Sequence, residues 1–135
     1  EGGVSVEVEA DGDETLEEFS EMGGEMLAAL HGGRGEKGYA SPDNPTTGGL
    51  YTMAVQYGYG WLWHRAGLDR RQRMICAVAS FTVLRLESQL RKFGQSALNV
   101  GLTKEEVVEA VMQKAPYGGF PSALNALAAL DEVFS

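Results

Sequence analysis

The stretch that decides the fold is residues 99–127, NVGLTKEEVVEAVMQKAPYGGFPSALNAL. It reads as a helix, a tight corner and a second helix. Gly101 supplies the left-handed residue that ends a preceding helix. Thr103 and Glu106 then form a Thr-x-x-Glu capping box, in which each side chain satisfies the other's backbone N–H. A fifth helix is expected over 104–115, stopped by Pro116. Pro121 sits where the first turn of a sixth helix tolerates a missing N–H, and that helix runs to about Phe134.

Working toward the N-terminus, a fourth helix is expected from about Glu87 to Val100. Asp69, with Gln72 three residues later, caps a third. From Met74 to Leu84 the third helix is apolar nearly all round, which predicts a central, buried element. Its lone thiol, Cys76, reads as a buried small hydrophobe. The second helix spans Thr46 or Thr47 to Trp63 and carries Tyr51, Tyr57, Tyr59, Trp61 and Trp63, a density that suits a core or a subunit contact. Before it lies a loop, HGGRGEKGYASPDNPTTGG. The first helix starts near Asp13 and places Leu16, Phe19, Met22, Met26, Leu27 and Leu30 on one face, weakened in the middle by Gly23 and Gly24. Residues 1–12 alternate Val4, Val6 and Val8 with polar residues and read as a flexible or strand-like acidic arm. The expectation is an all-α protein with one helical domain over residues 13–135.

Composition excludes several classes. The 135 residues carry a net charge of −8. Residues 1–36 hold eleven acids and one base, whereas residues 37–135 hold eight acids and ten bases. An acidic arm on a nearly neutral body repels nucleic acid and anionic lipid, so neither is an expected partner. No apolar run reaches the ~18–20 residues of a membrane span. The chain opens on Glu1-Gly2-Gly3 without a basic-then-apolar leader, so secretion has no support. One cysteine forms no internal disulfide and fits a reducing, cytoplasmic compartment.

Three elements in fixed order carry more information: Gly67-Leu68-Asp69 with Arg73; Gly101-Leu102-Thr103 with Glu105-Glu106; and Ala115-Pro116-Tyr117-Gly118-Gly119-Phe120-Pro121. Together they resemble the carboxymuconolactone decarboxylase family over roughly residues 50–134. The resemblance implies an alkyl hydroperoxidase D-like helical fold of about six helices, assembled as a homo-trimer or hexamer. It also implies a small-molecule substrate and no cofactor. Peroxidase relatives use a Cys-x-x-Cys pair with a Glu and a His. Those positions fall on Leu86 and Gln89, on Met74 and on Phe93, so the dithiol cycle is not expected here. Decarboxylase members also tend to carry a His at the Phe93 position and an acid at the Trp61 position.

A proton-transfer group must titrate within reach of the substrate. The candidates are His64, with a solvent-facing helix-end histidine as its alternative, and Tyr117, with a core or interface tyrosine as its alternative. Arg73 suits a carboxylate or enolate, with an ion pair to Asp69 as its alternative. His31 reads as a helix-end residue. Trp61, Met74, Leu86, Gln89, Phe93, Gln95 and Phe120 are the candidate substrate-lining residues, and Ser96 is a further neutral hydrogen-bonder. Three functions fit. The first is a cofactor-free, decarboxylase-like lyase acting on a small cyclic or aromatic oxygenated metabolite, governed by a group titrating near neutrality. The second is a cyclase or isomerase working by positioning in an aromatic pocket, with a flat pH profile. The third is a non-catalytic oligomeric binding or scaffold protein.

Overall fold

Why the chain folds helix by helix is visible in its caps. In a computed structural model that describes residues 8–33 and 41–135, helix α1 (Leu16–His31) opens on Thr15. Its hydroxyl accepts from Glu18 N–H at 3.1 Å, while the Glu18 carboxylate takes the Thr15 N–H at 2.8 Å. This box moves the start two residues past the expected Asp13. Glu14 lies outside the helix, its carboxylate held by the Asp11 and Gly12 N–H groups. The valine-alternating arm lies outside the described residues up to position 7, and so does the loop over 34–40.

The chain forms two compact units, Gly2–Asp69 and Arg70–Ser135. In the first, α1 packs on a segment that was expected to be one helix. It is three: α2 (Gly48–Ala54), a π-helical stretch Val55–Trp61 and a 3-10 turn Leu62–His64. Glycine makes this packing possible. A Cβ on Gly23 would land on the Val55 carbonyl, and one on Gly60 would land on the Phe19 carbonyl, so helix and π stretch approach backbone to backbone. Phe19 and Trp61 stack at 5.3 Å beside that contact, and Gln56 donates to Ser20 Oγ at 2.9 Å.

The second unit contains α3 (Arg70–Leu84), α4 (Glu87–Asn99), α5 (Lys104–Gly118) and α6 (Phe120–Phe134). Helix α3 packs on α4 and α5, and α6 packs on the same two. Met74, Val78, Leu90, Phe93, Val107, Val111 and Leu130 fill the centre. Each large side chain removed from water contributes about 1.5–3 kcal/mol. Thr103 and Glu106 form their expected box, and Gly101 has its expected positive φ of 97°.

Two expectations fail here. Helix α3 buries one stripe only, Met74, Val78 and Thr82; Ile75, Val83 and Leu84 are exposed, and Cys76 is exposed with them. Its neighbours cover one face, so apolar character all round does not become burial all round. Pro116 does not stop α5, which continues to Gly118. Its missing N–H falls on the exposed outer turn, where water can satisfy the released carbonyl. Every regular element among the described residues is helical, and none is long and apolar enough to cross a membrane.

The glycine contacts give a paired test. Gly23→Ala and Gly60→Ala should each lower the unfolding free energy by about 1–3 kcal/mol, because backbone must move to admit the methyl. Gly24→Ala meets no atom within 4 Å. It should raise stability by about 0.5–1 kcal/mol. Urea titration of the three variants reads both signs.

Candidate functional site

In the first unit the chemistry gathers at the end of the π stretch. His64 is only 3% exposed, so the solvent-facing alternative is wrong. Its Nδ1 lies 2.8 Å from the Tyr59 carbonyl. A carbonyl only accepts, so Nδ1 carries a proton, and in the neutral ring Nε2 is then a bare lone pair. That Nε2 is buried and has no hydrogen-bond partner among the described residues. Trp61 Nε1 is in the same condition. Residues 10–12 lie across this corner: Ala10 N–H donates to the His64 carbonyl at 2.9 Å, and Gly12 stands over the Trp61 indole. His31, at the end of α1 as expected, is buried with Nε2 3.4 Å from Tyr59 Oη.

The second unit carries the other candidates. Met74 is fully buried in α3, and Phe93 lies edge-on to Phe81 at 4.7 Å. Arg73, Gln89 and Gln95 are half-buried, and Ser96 is buried with its hydroxyl on the Lys92 carbonyl. Leu86 is exposed at the head of α4. Tyr117 and Phe120 stand well out, 82% and 67% exposed, on either side of the α5–α6 corner.

That corner also holds a group the sequence reading passed over. Lys114 is 6% exposed. Its ammonium donates to Ser122 Oγ and, at 3.3 Å, to the Gly119 carbonyl. The Ser122 hydroxyl in turn lies 3.1 Å from the carbonyls of both Gly118 and Gly119, so it gives its proton to the backbone and accepts from the lysine. No carboxylate pairs with Lys114 among the described residues. Burial pushes its ammonium below the ordinary value of 10.5, and repulsion from Arg85 adds to that. Sequence held one signal: Lys114 falls on the inward stripe of α5 with Val107, Val111 and Ala115.

An open groove of about 380 Å³ runs along Ile75, Glu105, Glu106, Glu109, Ala110 and Gln113. Glu106 is held below the usual carboxylate range by the Thr103 N–H and then by Arg71 at 2.7 Å. Three carboxylates make this groove a poor seat for an acid.

The pattern of the carboxymuconolactone decarboxylase family matches residues 49–132. The chain belongs to that family. It is 32% identical over 79 residues to the 4-carboxymuconolactone decarboxylase of Acinetobacter baylyi, an alignment covering 58% of this chain and 59% of that protein. It is 32% identical over 75 residues to the nitrosuccinic acid decarboxylase of Metarhizium robertsii, covering 56% and 52%. An uncharacterized 15.0 kDa protein of Paracoccus denitrificans is 33% identical over 83 residues, covering 60% and 62%. The matches thus span 52–62% of those relatives' own length. The family pattern begins at residue 49, so it takes in Trp61, His64 and the whole α5–α6 corner.

Lys114 makes a stability prediction with a definite sign. A lysine whose folded value lies below its unfolded one binds fewer protons when folded, so stability rises with pH through that window. Its burden is complete below the folded value and gone above the unfolded value of 10.5. Lys114→Met should therefore be at least as stable as wild type at pH 7, and the difference should shrink as pH climbs toward 10.5. Denaturant midpoints at stepped pH check this.

Proposed function

We propose that the chain is a decarboxylase-type lyase that acts on a small organic acid without a cofactor. The observation that carries the reading is family membership, joined to a buried histidine whose Nε2 has no hydrogen-bond partner among the described residues. In such a reaction the bond from carbon to carboxylate breaks and carbon dioxide leaves. The electron pair stays behind and is drawn into an adjacent carbonyl or nitro group. A proton taken up at that carbon completes the product, so one proton is consumed for each carbon dioxide released.

His64 suits the proton-handling part. Its ring is fixed by the Tyr59 carbonyl, and its free lone pair is withdrawn from water, which raises the effect of any charge developing beside it. The second unit offers candidates of its own, Arg73 for holding an enolate and Tyr117 for carrying a proton. Trp61 spends a ring face on Phe19, and Phe93 meets the ring of Phe81 edge-on, which favours proton chemistry over folding a substrate between aromatic walls. One cysteine per chain keeps the reading away from an internal dithiol cycle.

The test is carbon dioxide release by the purified protein from carboxymuconolactone, nitrosuccinate and related acids. Wild type should turn over at least one. His64→Gln keeps the ring's size class and removes its basic nitrogen; it should lower kcat by about 10²–10⁴-fold. Arg73→Ala and Tyr117→Phe, run alongside, sort the remaining roles. A folded protein that releases nothing from any of these acids overturns the lyase reading.

A further inference from the structure

Two polar groups in the first unit are shut away from water with nothing to bond. Trp61 Nε1 is a donor and His64 Nε2, in the neutral ring, an acceptor; neither has a hydrogen-bond partner among the described residues. A buried polar group left unmet opposes folding, so each calls for an explanation. Proton chemistry sharpens the question. Under the lyase reading His64 gives up one proton in each turnover, and a shut Nε2 has no group among the described residues from which to regain it. Whatever covers this corner must therefore move.

The covering elements differ in how firmly they are held. Helix α1 is fixed to the π stretch, because Gly23 and Gly60 bring backbone against backbone and Phe19 stacks on Trp61 at 5.3 Å. Residues 10–14 are held lightly. Among the described residues a single backbone hydrogen bond ties them to the corner, from the Ala10 N–H to the His64 carbonyl at 2.9 Å. Gly12 rests on the indole: a Cβ there would stand 3.2 Å from Trp61 Cζ2 and 3.7 Å from Nε1. Its φ of 101° suits glycine, and the turn is shaped from within by Glu14, whose carboxylate takes the Asp11 and Gly12 N–H groups at 2.9 and 2.8 Å. The segment carries its own turn. If it lifts, those internal bonds survive, and what it gives up is one hydrogen bond and the glycine–indole contact.

We propose that residues 10–14 are a strap that opens and shuts over Trp61 and His64 within the folded protein. Shut, it keeps water from the imidazole. Open, it lets substrate in, product out and a solvent proton onto Nε2. The strap itself stands on the geometry of this corner, whereas its part in turnover rests on the lyase reading.

The measurement is exchange of the Trp61 indole N–H with solvent, followed in the whole protein labelled with 15N at tryptophan and assigned by the signal missing from Trp61→Phe. In wild type the exchange should be slow, and it should not change with urea below the unfolding transition, because lifting a strap exposes little surface. Ala10→Pro removes the N–H that reaches His64, and Gly12→Val sets a side chain against the indole. Each should speed the exchange about tenfold or more, with helical circular dichroism unchanged. The Trp63 indole, whose ring stacks on Tyr59, should keep its wild-type rate. The urea series on wild type needs no variant, so it decides even where a substitution disturbs folding. A wild-type Trp61 indole that exchanges as freely as in a short peptide, or only in step with global unfolding, overturns the strap. Rates equal in wild type and both variants, or a rise shared by Trp63, also overturn it. Strap-dependent exchange in a protein that decarboxylates nothing leaves the strap standing and rejects the lyase reading alone.

Discussion

A lysine that the fold buries, with no carboxylate partner among the described residues, sits at the corner of the second unit. Lys114 occupies the inward stripe of α5, and the residues of the α5–α6 corner close around it. Gly118 has no side chain to displace the stem. Gly119 turns the chain at φ of 102° and lends its carbonyl to the ammonium. Pro121 starts α6 at once, which brings Ser122 round to receive the lysine and to hand its own proton to the backbone.

The first unit is organised by a different constraint, close backbone approach. Two glycines let α1 and the π stretch touch carbonyl to Cα, and the wider turn delivers Trp61 and His64 to the end of that contact. π-turns often mark functional positions, since they reorient side chains that a regular helix would place elsewhere. Here the outcome is an imidazole held at one nitrogen and bare at the other.

Much of this was legible. Thr103 with Glu106, Gly101 and Pro121 act locally, and sequence-local chemistry reads directly as structure. The family positions were legible for the same reason, as three short motifs at fixed spacing. What escaped depended on neighbours far along the chain. Gly23 looked like a weakness in α1 and is instead the point where the Val55 carbonyl fits. The run from Met74 to Leu84 looked central, but one face alone is covered by α4 and α5. Pro116 was read as a terminator, because whether its freed carbonyl meets water is a property of the packed helix. Lys114 was invisible among the surface charges of an acidic-headed helix, although its register with Val107 and Val111 was there to be counted.

The central claim is that Lys114 is held inside the fold by Ser122 and the Gly119 carbonyl, without a carboxylate partner among the described residues. The direct measurement is the Nζ resonance of Lys114 in protein labelled with 15N at lysine Nζ, recorded at mildly acidic pH. The account predicts one ammonium that exchanges slowly with water and is missing from Lys114→Met. An ammonium at Lys114 that exchanges as fast as the surface lysines would contradict it.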